Sequence, residues 1–526
     1  MTTPAIHEST AEAEGTHAET RDYWEWRRQL IGMIAGIILA LIIYWIFPAS
    51  AIDVVNEAHG SGEDEFSYEG MRVTAAVAVL MGTWWMTEAI PLAATALIPL
   101  VIFPIMQVAK IGEVSSPYAS PTIFLFMGGF ILALAMQRWN LHRRLALSVV
   151  LMVGTKPKQL IAGFMIATGF LSMWVSNTAT AVVMLPIGMS VLHLTAETVG
   201  GMRNQRKFGT ALMLGIAYSA SIGSLGTIIG TPPNALLRAY MEENHQIEIG
   251  FGHWMLVGVP LAAVFMGIAW FCLITVFKPE VDSIPGGREM IRQELKDMGK
   301  MGRAEILTAI IFSGAAVCWI FVPLVIDWLG LKISVADATI GLAAAALMFM
   351  IPVDGKTGVR IMDWKTANEL PWDVLLLFGG GLALSKMFSG SGLSLWIGEQ
   401  AKGLQHLPLI LLIAAVAALV LILTEFTSNT ATAATFLPIL AGVAIGIGLD
   451  AGGPQNIMVL TIPVALSATC AFMLPVATPP NAIAYGSGYV RIGDMIKGGV
   501  WLNIIAVALV TITTYFLAVP VFGMVF

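Results

Sequence analysis

Apolar residues occupy the chain in blocks of about twenty, the length of helix that crosses a hydrocarbon core of about 30 Å. The blocks predict spanning helices near 29–48, 71–90, 91–109, 121–138, 208–245, 252–277, 304–327, 334–352, 371–397, 457–490 and 496–520. Two longer apolar stretches, 159–194 and 406–446, carry a small polar sequence at their middle. They are expected to be re-entrant hairpins, two apolar arms that dip in and return to the same face. Glycine and proline interrupt 208–245 and 457–490, so these are expected to be broken helices. The predicted fold class is all-α: a polytopic membrane protein of about eleven transmembrane helices plus two re-entrant hairpins.

The polar interruptions come in matching pairs. Ser176-Asn177-Thr178-Ala179-Thr180-Ala181 runs on to Leu185-Pro186-Ile187, and Ser428-Asn429-Thr430-Ala431-Thr432-Ala433 runs on to Leu437-Pro438-Ile439. Nine of those twelve aligned positions are identical. Thr231-Pro232-Pro233-Asn234-Ala235 follows the first copy, and Thr478-Pro479-Pro480-Asn481-Ala482 follows the second. Pro121 with Pro371, Gly129 with Gly379, and Leu132-Ala133-Leu134 with Leu382-Ala383-Leu384 extend the match. The chain therefore divides into a tail (1–28), a first span and outer loop (29–70), repeat one (71–278), a linker (279–303) and repeat two (304–526). Each repeat has scaffold helices, one hairpin and one broken helix.

Charge supplies the orientation. With the N-terminus inside, segments 21–30, 138–158, 201–207, 278–303, 353–365 and 491–497 hold 22 of the 28 Lys and Arg residues. That asymmetry obeys the positive-inside rule and puts the C-terminus outside. Arg72, Lys110, Lys332 and Lys402 fall at or beside outer segments. Span 71–90 then starts outside and its partner 304–327 starts inside, so the repeats are inverted. The first hairpin enters from the cytoplasm and the second from the opposite face. Inverted repeats with paired helix breaks are the architecture of many secondary carriers, with the binding site at the breaks.

Composition narrows the class further. With 57% hydrophobic and 12% charged residues, a string of soluble domains is excluded. A net charge of -6, spread over many loops, carries no message about nucleic acid. The tail up to residue 20 has glutamates but no Lys or Arg and no apolar core, so it is expected to be disordered and is not a signal peptide. Cys272, Cys318 and Cys470 lie far apart in apolar segments and are expected to be buried free thiols. An amphipathic stretch of the linker (Ile291, Leu295, Met298) predicts a surface helix.

The polar tips suggest chemistry. Asn177 and Asn429 each stand where an apolar arm turns back and a new helix begins, so free N–H groups and a positive dipole end face the tip. Such an end attracts an anion, and neighbouring hydroxyls add hydrogen bonds. Carbonyls closing the preceding arm, with asparagine oxygens, suit a small hard cation such as Na⁺. The Thr-Pro-Pro breaks expose carbonyls before them and amide donors after them.

These motifs, with Trp84-Trp85-Met86-Thr87-Glu88-Ala89-Ile90-Pro91 and Phe126-Met127-Gly128-Gly129-Phe130-Ile131-Leu132-Ala133, resemble the divalent anion/sodium symporter family from about residue 71 to the end. That family includes bacterial dicarboxylate carriers and mammalian carboxylate and sulfate cotransporters. The resemblance implies one sodium site at Ser172, Ser176, Asn177 and Gly230, and a second at Thr424, Thr427, Asn429 and Ala477. It implies substrate contacts from Asn177, Thr178, Thr231 and Pro232, and from Ser428, Asn429, Thr430, Thr478 and Pro479. It also implies a homodimer in which a transport domain moves against a scaffold. The function expected is sodium-coupled import of a divalent organic anion, first a C4-dicarboxylate such as succinate, malate or fumarate, across the cell membrane. A sodium-independent exchanger on the same fold and an ion channel are the alternatives.

Other residues weigh less. Glu425 adjoins the second tip and is a candidate to tune ion binding or carry a proton, while Glu88 is expected to serve a helix end near Pro91. Arg238 and Lys386, inside spans, are expected to snorkel. The glycines of 379–381 and 390–392 are expected to allow close packing or a bend. His142, His193 and His253 lack metal-ligand spacing, and no hydrolase or phosphate-loop motif occurs, so an enzyme is not expected.

Overall fold

The structure is a computed structural model that describes residues 23–59, 66–154, 156–199, 201–280, 286–330, 333 and 335–526. The expected tail lies outside them up to residue 22, as does Lys332. Among the described residues the protein is helical, with a single isolated bridge between Pro352 and Arg360 and no strand. Among the described residues, eight helices are long and apolar enough to cross a membrane, and four further apolar helices have 10–17 residues. Peripheral spans such as Trp26–Ile46 and Arg303–Ile326 are only 11% buried along their apolar stretch, so most of their side chains face outward from the protein.

Each hairpin is two helices around a four-residue turn. The first is Pro157–Ser172 and Asn177–Val199, the second Leu409–Thr424 and Asn429–Gly446. The broken helices divide where their glycines and prolines stand. The first runs Arg206–Ser224, a 3-10 turn Ile228–Gly230, then Pro232–His245. The second runs Met458–Ala468, a 3-10 turn Pro475–Ala477, then Pro479–Gly486. Thr231 (φ -145°, ψ 142°) and Thr478 (φ -144°, ψ 148°) hold the same extended conformation, each before a proline that starts the next helix.

Several expected spans prove shorter. The stretch 91–109 is two pieces, Leu92–Thr95 and Ile98–Ile105, with Pro91 and Pro99 at their starts. The stretch 371–397 turns at Gly392 (φ +81°) into Trp372–Gly390 and Leu393–Ala401. The basic segment 138–158, read as a loop, contains the helix Leu141–Val153 after Asn140 (φ +55°). Its apolar face (Leu141, Ala146, Leu147, Val150) is buried, but Arg143 and Arg144 disguise it in the sequence. Thus Pro121–Arg138 and Trp372–Gly390 are each followed by a left-handed joint, a short helix and a hairpin.

Packing brings the hairpins and broken helices to one place. Pro157–Ser172 lies on Arg206–Ser224, and Leu409–Thr424 lies on Met458–Ala468. The partners then cross over: Pro232–His245 packs on Asn429–Gly446, and Pro479–Gly486 packs on Asn177–Val199. A Cβ on Gly223 would stand 2.2 Å from the Gly169 carbonyl oxygen, so that first contact is backbone on backbone. The linker helix Gly287–Asp297 buries Ile291 and packs on Leu141–Val153, with Arg143 bonded to Glu294 at 2.5 Å.

Arg238 does not snorkel. It is buried, with its guanidinium 2.6 Å from the equally buried Asp337 carboxylate. Desolvation makes a lone charge there too costly, so the chain supplies a partner. Lys386 does reach out, to the Glu113 carbonyl and the Ser116 hydroxyl. Glu88 ends its helix in a left-handed conformation and pairs with Arg28 at 3.0 Å.

Candidate functional site

At the first tip, Ser172 donates its hydroxyl to Asn177 Oδ1 at 2.8 Å, and the Ser176 hydroxyl accepts from the Ala179 N–H at 3.3 Å. The turn is tied to the first break because the Thr227 hydroxyl donates to the Met173 carbonyl. Gly230 is wedged there: a Cβ would meet the Ser224 carbonyl oxygen at 2.3 Å. Carbonyls of the break and the Asn177 amide oxygen therefore lie on neighbouring, docked segments.

The second tip repeats this with more oxygen. Thr424 Oγ1 lies 2.7 Å from Asn429 Oδ1 and 2.7 Å from the Ala468 carbonyl oxygen. A threonine hydroxyl has one hydrogen, so three oxygens here share a single proton. Crowded neutral oxygens with too few donors are the donor set a hard cation needs. The Thr427 hydroxyl points elsewhere, to the Leu423 carbonyl (2.9 Å) and the Thr432 hydroxyl (2.6 Å). Any contact from Thr427 to a cation would come through its main chain. Ala477 closes the short turn before Thr478.

The two halves meet where Thr231 Oγ1 lies 3.3 Å from Thr469 Oγ1. Thr231, Gly230, Thr478 and Thr430 are buried, Asn177, Ser428, Asn429 and Pro232 half-buried, and Thr178 and Pro479 exposed. An open cavity of about 330 Å³, lined by His142, Arg143, Val182, Pro186 and Glu294 among others, reaches along the second arm to within one turn of Thr178. No lysine or arginine lies among the expected contact residues, so N–H groups and any bound cation must supply the positive field there.

Sequence reasoning passed over the residues that hold the breaks open. Asn234 Nδ2 donates to the carbonyls of Thr227 (2.9 Å), Ser224 and Leu225 (both 3.4 Å). Asn481 Nδ2 donates to those of Ala471 and Leu474, both at 3.1 Å. These are equivalent positions, and Asn234 Oδ1 and Asn481 Oδ1 are both buried without a hydrogen-bond partner. The signal was present: each asparagine is the fourth residue of its Thr-Pro-Pro-Asn-Ala motif. Glu425 has a structural task that its place in the sequence did not show. Its carboxylate accepts the N–H groups of Phe472, Met473 and Leu474 and the Asn503 amide (2.7 Å), so it caps the unwound segment. Only distance in sequence hid this role.

The family description "Sodium:sulfate symporter transmembrane region" matches residues 64–523. A protein of Staphylococcus saprophyticus named sodium-dependent dicarboxylate transporter SdcS is 41% identical over 500 residues, covering 94% of this chain and 92% of its own. Its namesakes in two Staphylococcus aureus strains, RF122 and USA300, are 42% identical over 500 residues with the same coverage. Two solved transporters share the fold at low identity. The Alcanivorax borkumensis YdaH transporter aligns with TM-score 0.52 and 14% identity over 84% of this chain and 98% of its own. Neisseria gonorrhoeae MtrF, from a class of antimetabolite efflux pumps, aligns with TM-score 0.53 and 11% identity over 89% and 98%.

Proposed function

This chain belongs to the sodium:sulfate symporter family, and we propose that it imports C4-dicarboxylates such as succinate, malate or fumarate together with sodium. The observation that carries this reading is the convergence of both tips on both breaks, with Thr231 against Thr469 between them. The family relatives named sodium-dependent dicarboxylate transporters support the substrate class and the ion.

In this reading one Na⁺ binds at Ser172, Ser176, Asn177 and Gly230. A second binds at Thr424, Asn429 and Ala477, with the main chain of Thr427 and the Ala468 carbonyl as further oxygens. The carboxylates of the substrate meet Asn177, Thr178, Thr231 and Pro232 on one side. On the other they meet Ser428, Asn429, Thr430, Thr478 and Pro479. Proline donates no hydrogen bond, so Pro232 and Pro479 act through shape and by opening the backbone. Sodium orders the tips, and the ordered tips accept the anion; the coupling is electrostatic and conformational, without a fixed protein cation.

The two repeats lie inverted in a plasma membrane with the N-terminus inside and the C-terminus outside, and the protein works as a homodimer. The hairpins, broken helices and the spans after them move as one body against the remaining helices. Support comes from the crossed packing of these elements and from Thr178, exposed beside a cavity on the side of the basic linker. The test is labelled succinate uptake into proteoliposomes. Uptake is expected only with an inward sodium gradient, accelerated by an inside-negative potential. Removing Na⁺ must weaken succinate binding by the same factor by which succinate strengthens Na⁺ binding. Succinate affinity that ignores sodium would make the exchanger the better account.

A further inference from the structure

A groove of about 390 Å³ runs between the first arm of the first hairpin, Pro157–Ser172, and the helix Phe251–Val276. Its walls are apolar, with Ala162, Ile166, Phe170 and Met173 on one side and Ala262 and Gly267 on the other. From Ala162 to Met173 the arm rises about 16 Å, close to one leaflet's share of a hydrocarbon core of about 30 Å.

The second half closes this space. Alignment of the two tips makes Glu425 the counterpart of Met173. Gly258 and Gly499 both press on the unwound backbone of their own half, at Leu225 and Phe472, which makes Asn503 the counterpart of Ala262. Glu425 and Asn503 are bonded at 2.7 Å, and their helices, Leu409–Thr424 and Ile492–Thr513, pack on one another. Where the second half has a hydrogen-bonded pair, the first has two apolar residues lining an open groove.

The far end of the groove has charge. Lys158 stands one turn before Ala162, and Lys156 lies beside it; both are exposed. Trp270, which also lines the groove, donates its indole N–H to the Lys158 carbonyl at 3.0 Å. A tryptophan and lysines at one level mark a membrane–water interface.

We infer that this groove binds one acyl chain of an anionic phospholipid, with the phosphate at Lys158 and Lys156. The groove's length fits a chain of one leaflet, and the lysines fit the headgroup. The anionic lipid of the cytoplasmic leaflet matches the orientation proposed above, on which this choice of leaflet rests. The chain end then lies against Met173 and Gly223, directly behind the turn that Thr227 ties to the first break. A lipid therefore completes the packing behind the first tip, as Glu425 and Asn503 do behind the second.

Retention of lipid tests this without any transport measurement. The full chain, delipidated and returned to nanodiscs containing phosphatidylglycerol and phosphatidylcholine, is examined by native mass spectrometry. Gly267→Trp fills the groove, since a Cβ there meets nothing within 4 Å and points into open space. The wild type should retain phosphatidylglycerol in preference, and Gly267→Trp should retain about tenfold less, because the apolar burial that holds the chain is lost. Lys156→Gln with Lys158→Gln should keep a bound lipid but lose the preference. Equal retention by the wild type and Gly267→Trp, or no preference of the wild type for phosphatidylglycerol, overturns the inference. Either result leaves sodium-driven uptake, measured separately, as it was.

Discussion

At the residue scale, the hydroxyls and amides around the tips divide into those that face a ligand and those that hold the backbone. Thr424 shares one proton among three oxygens, whereas Thr427 spends its hydroxyl within its own turn. Thr424→Val should therefore raise the sodium concentration for half-maximal uptake about tenfold, the loss of one charge-assisted contact of about 1.5 kcal/mol. Thr427→Val should shift it much less. Sodium-activation curves in proteoliposomes decide between the two, and equal shifts would return the Thr427 hydroxyl to the site. The asparagines divide in the same way. Asn177→Ala and Asn429→Ala should abolish uptake and leave thermal unfolding nearly unchanged, because each tip amide oxygen receives one short local bond. Asn234→Ala and Asn481→Ala strand buried carbonyls, at about 1–3 kcal/mol each. Those two should lower the melting temperature as well as uptake, which a fluorescence melt of the detergent-purified protein would reveal.

Between elements, contact here is a matter of missing side chains. In lipid, helices gain nothing from burying apolar surface against each other, so close backbone approach does the work. Gly223 against Gly169, Gly258 against Leu225 and Gly499 against Phe472 are such approaches, each leaving less than 2.5 Å for a Cβ. Gly223→Ala should push the first hairpin off its broken helix, costing about 1–3 kcal/mol and most of the uptake. Gly267→Ala, into open space, should change neither. Monodisperse yield on gel filtration and initial uptake rates provide the check; a normal Gly223→Ala protein would mean that this contact is not tight.

Over the whole molecule, the question is which tip opens to which side. Ala179 is half-buried and Ala431 is 1% exposed, so the two tips are not equally open here. With Cys272, Cys318 and Cys470 replaced, Ala179→Cys should react with a polar thiol reagent added from the cytoplasmic side. Ala431→Cys should react from outside, and only when the protein turns outward. Sodium with succinate should shift both rates. Equal labelling of both from one side under all conditions would contradict hairpins inserted from opposite faces. The Arg238–Asp337 pair, joining the first broken helix to the helix Asp337–Met350, is one contact that such a movement has to break or carry with it.

Much of this protein was legible in its sequence, because a membrane makes sequence speak plainly. A polar or helix-breaking residue in an apolar run has to be explained, and Ser-Asn-Thr and Thr-Pro-Pro twice over located the tips and breaks to within a few residues. The helical class, the hairpin turns and the bends at 230 and 478 followed from local chemistry alone. Short amphipathic helices did not, since Leu141–Val153 buries one face in only thirteen residues and its arginines resemble loop charge. Tertiary structure decided the partners. Which carboxylate meets Arg238, which amides Glu425 caps and what Asn234 and Asn481 bind are settled by segments up to about a hundred residues away. Local pattern records how a helix must sit in lipid; it does not record which buried group, brought near only by packing, will satisfy another.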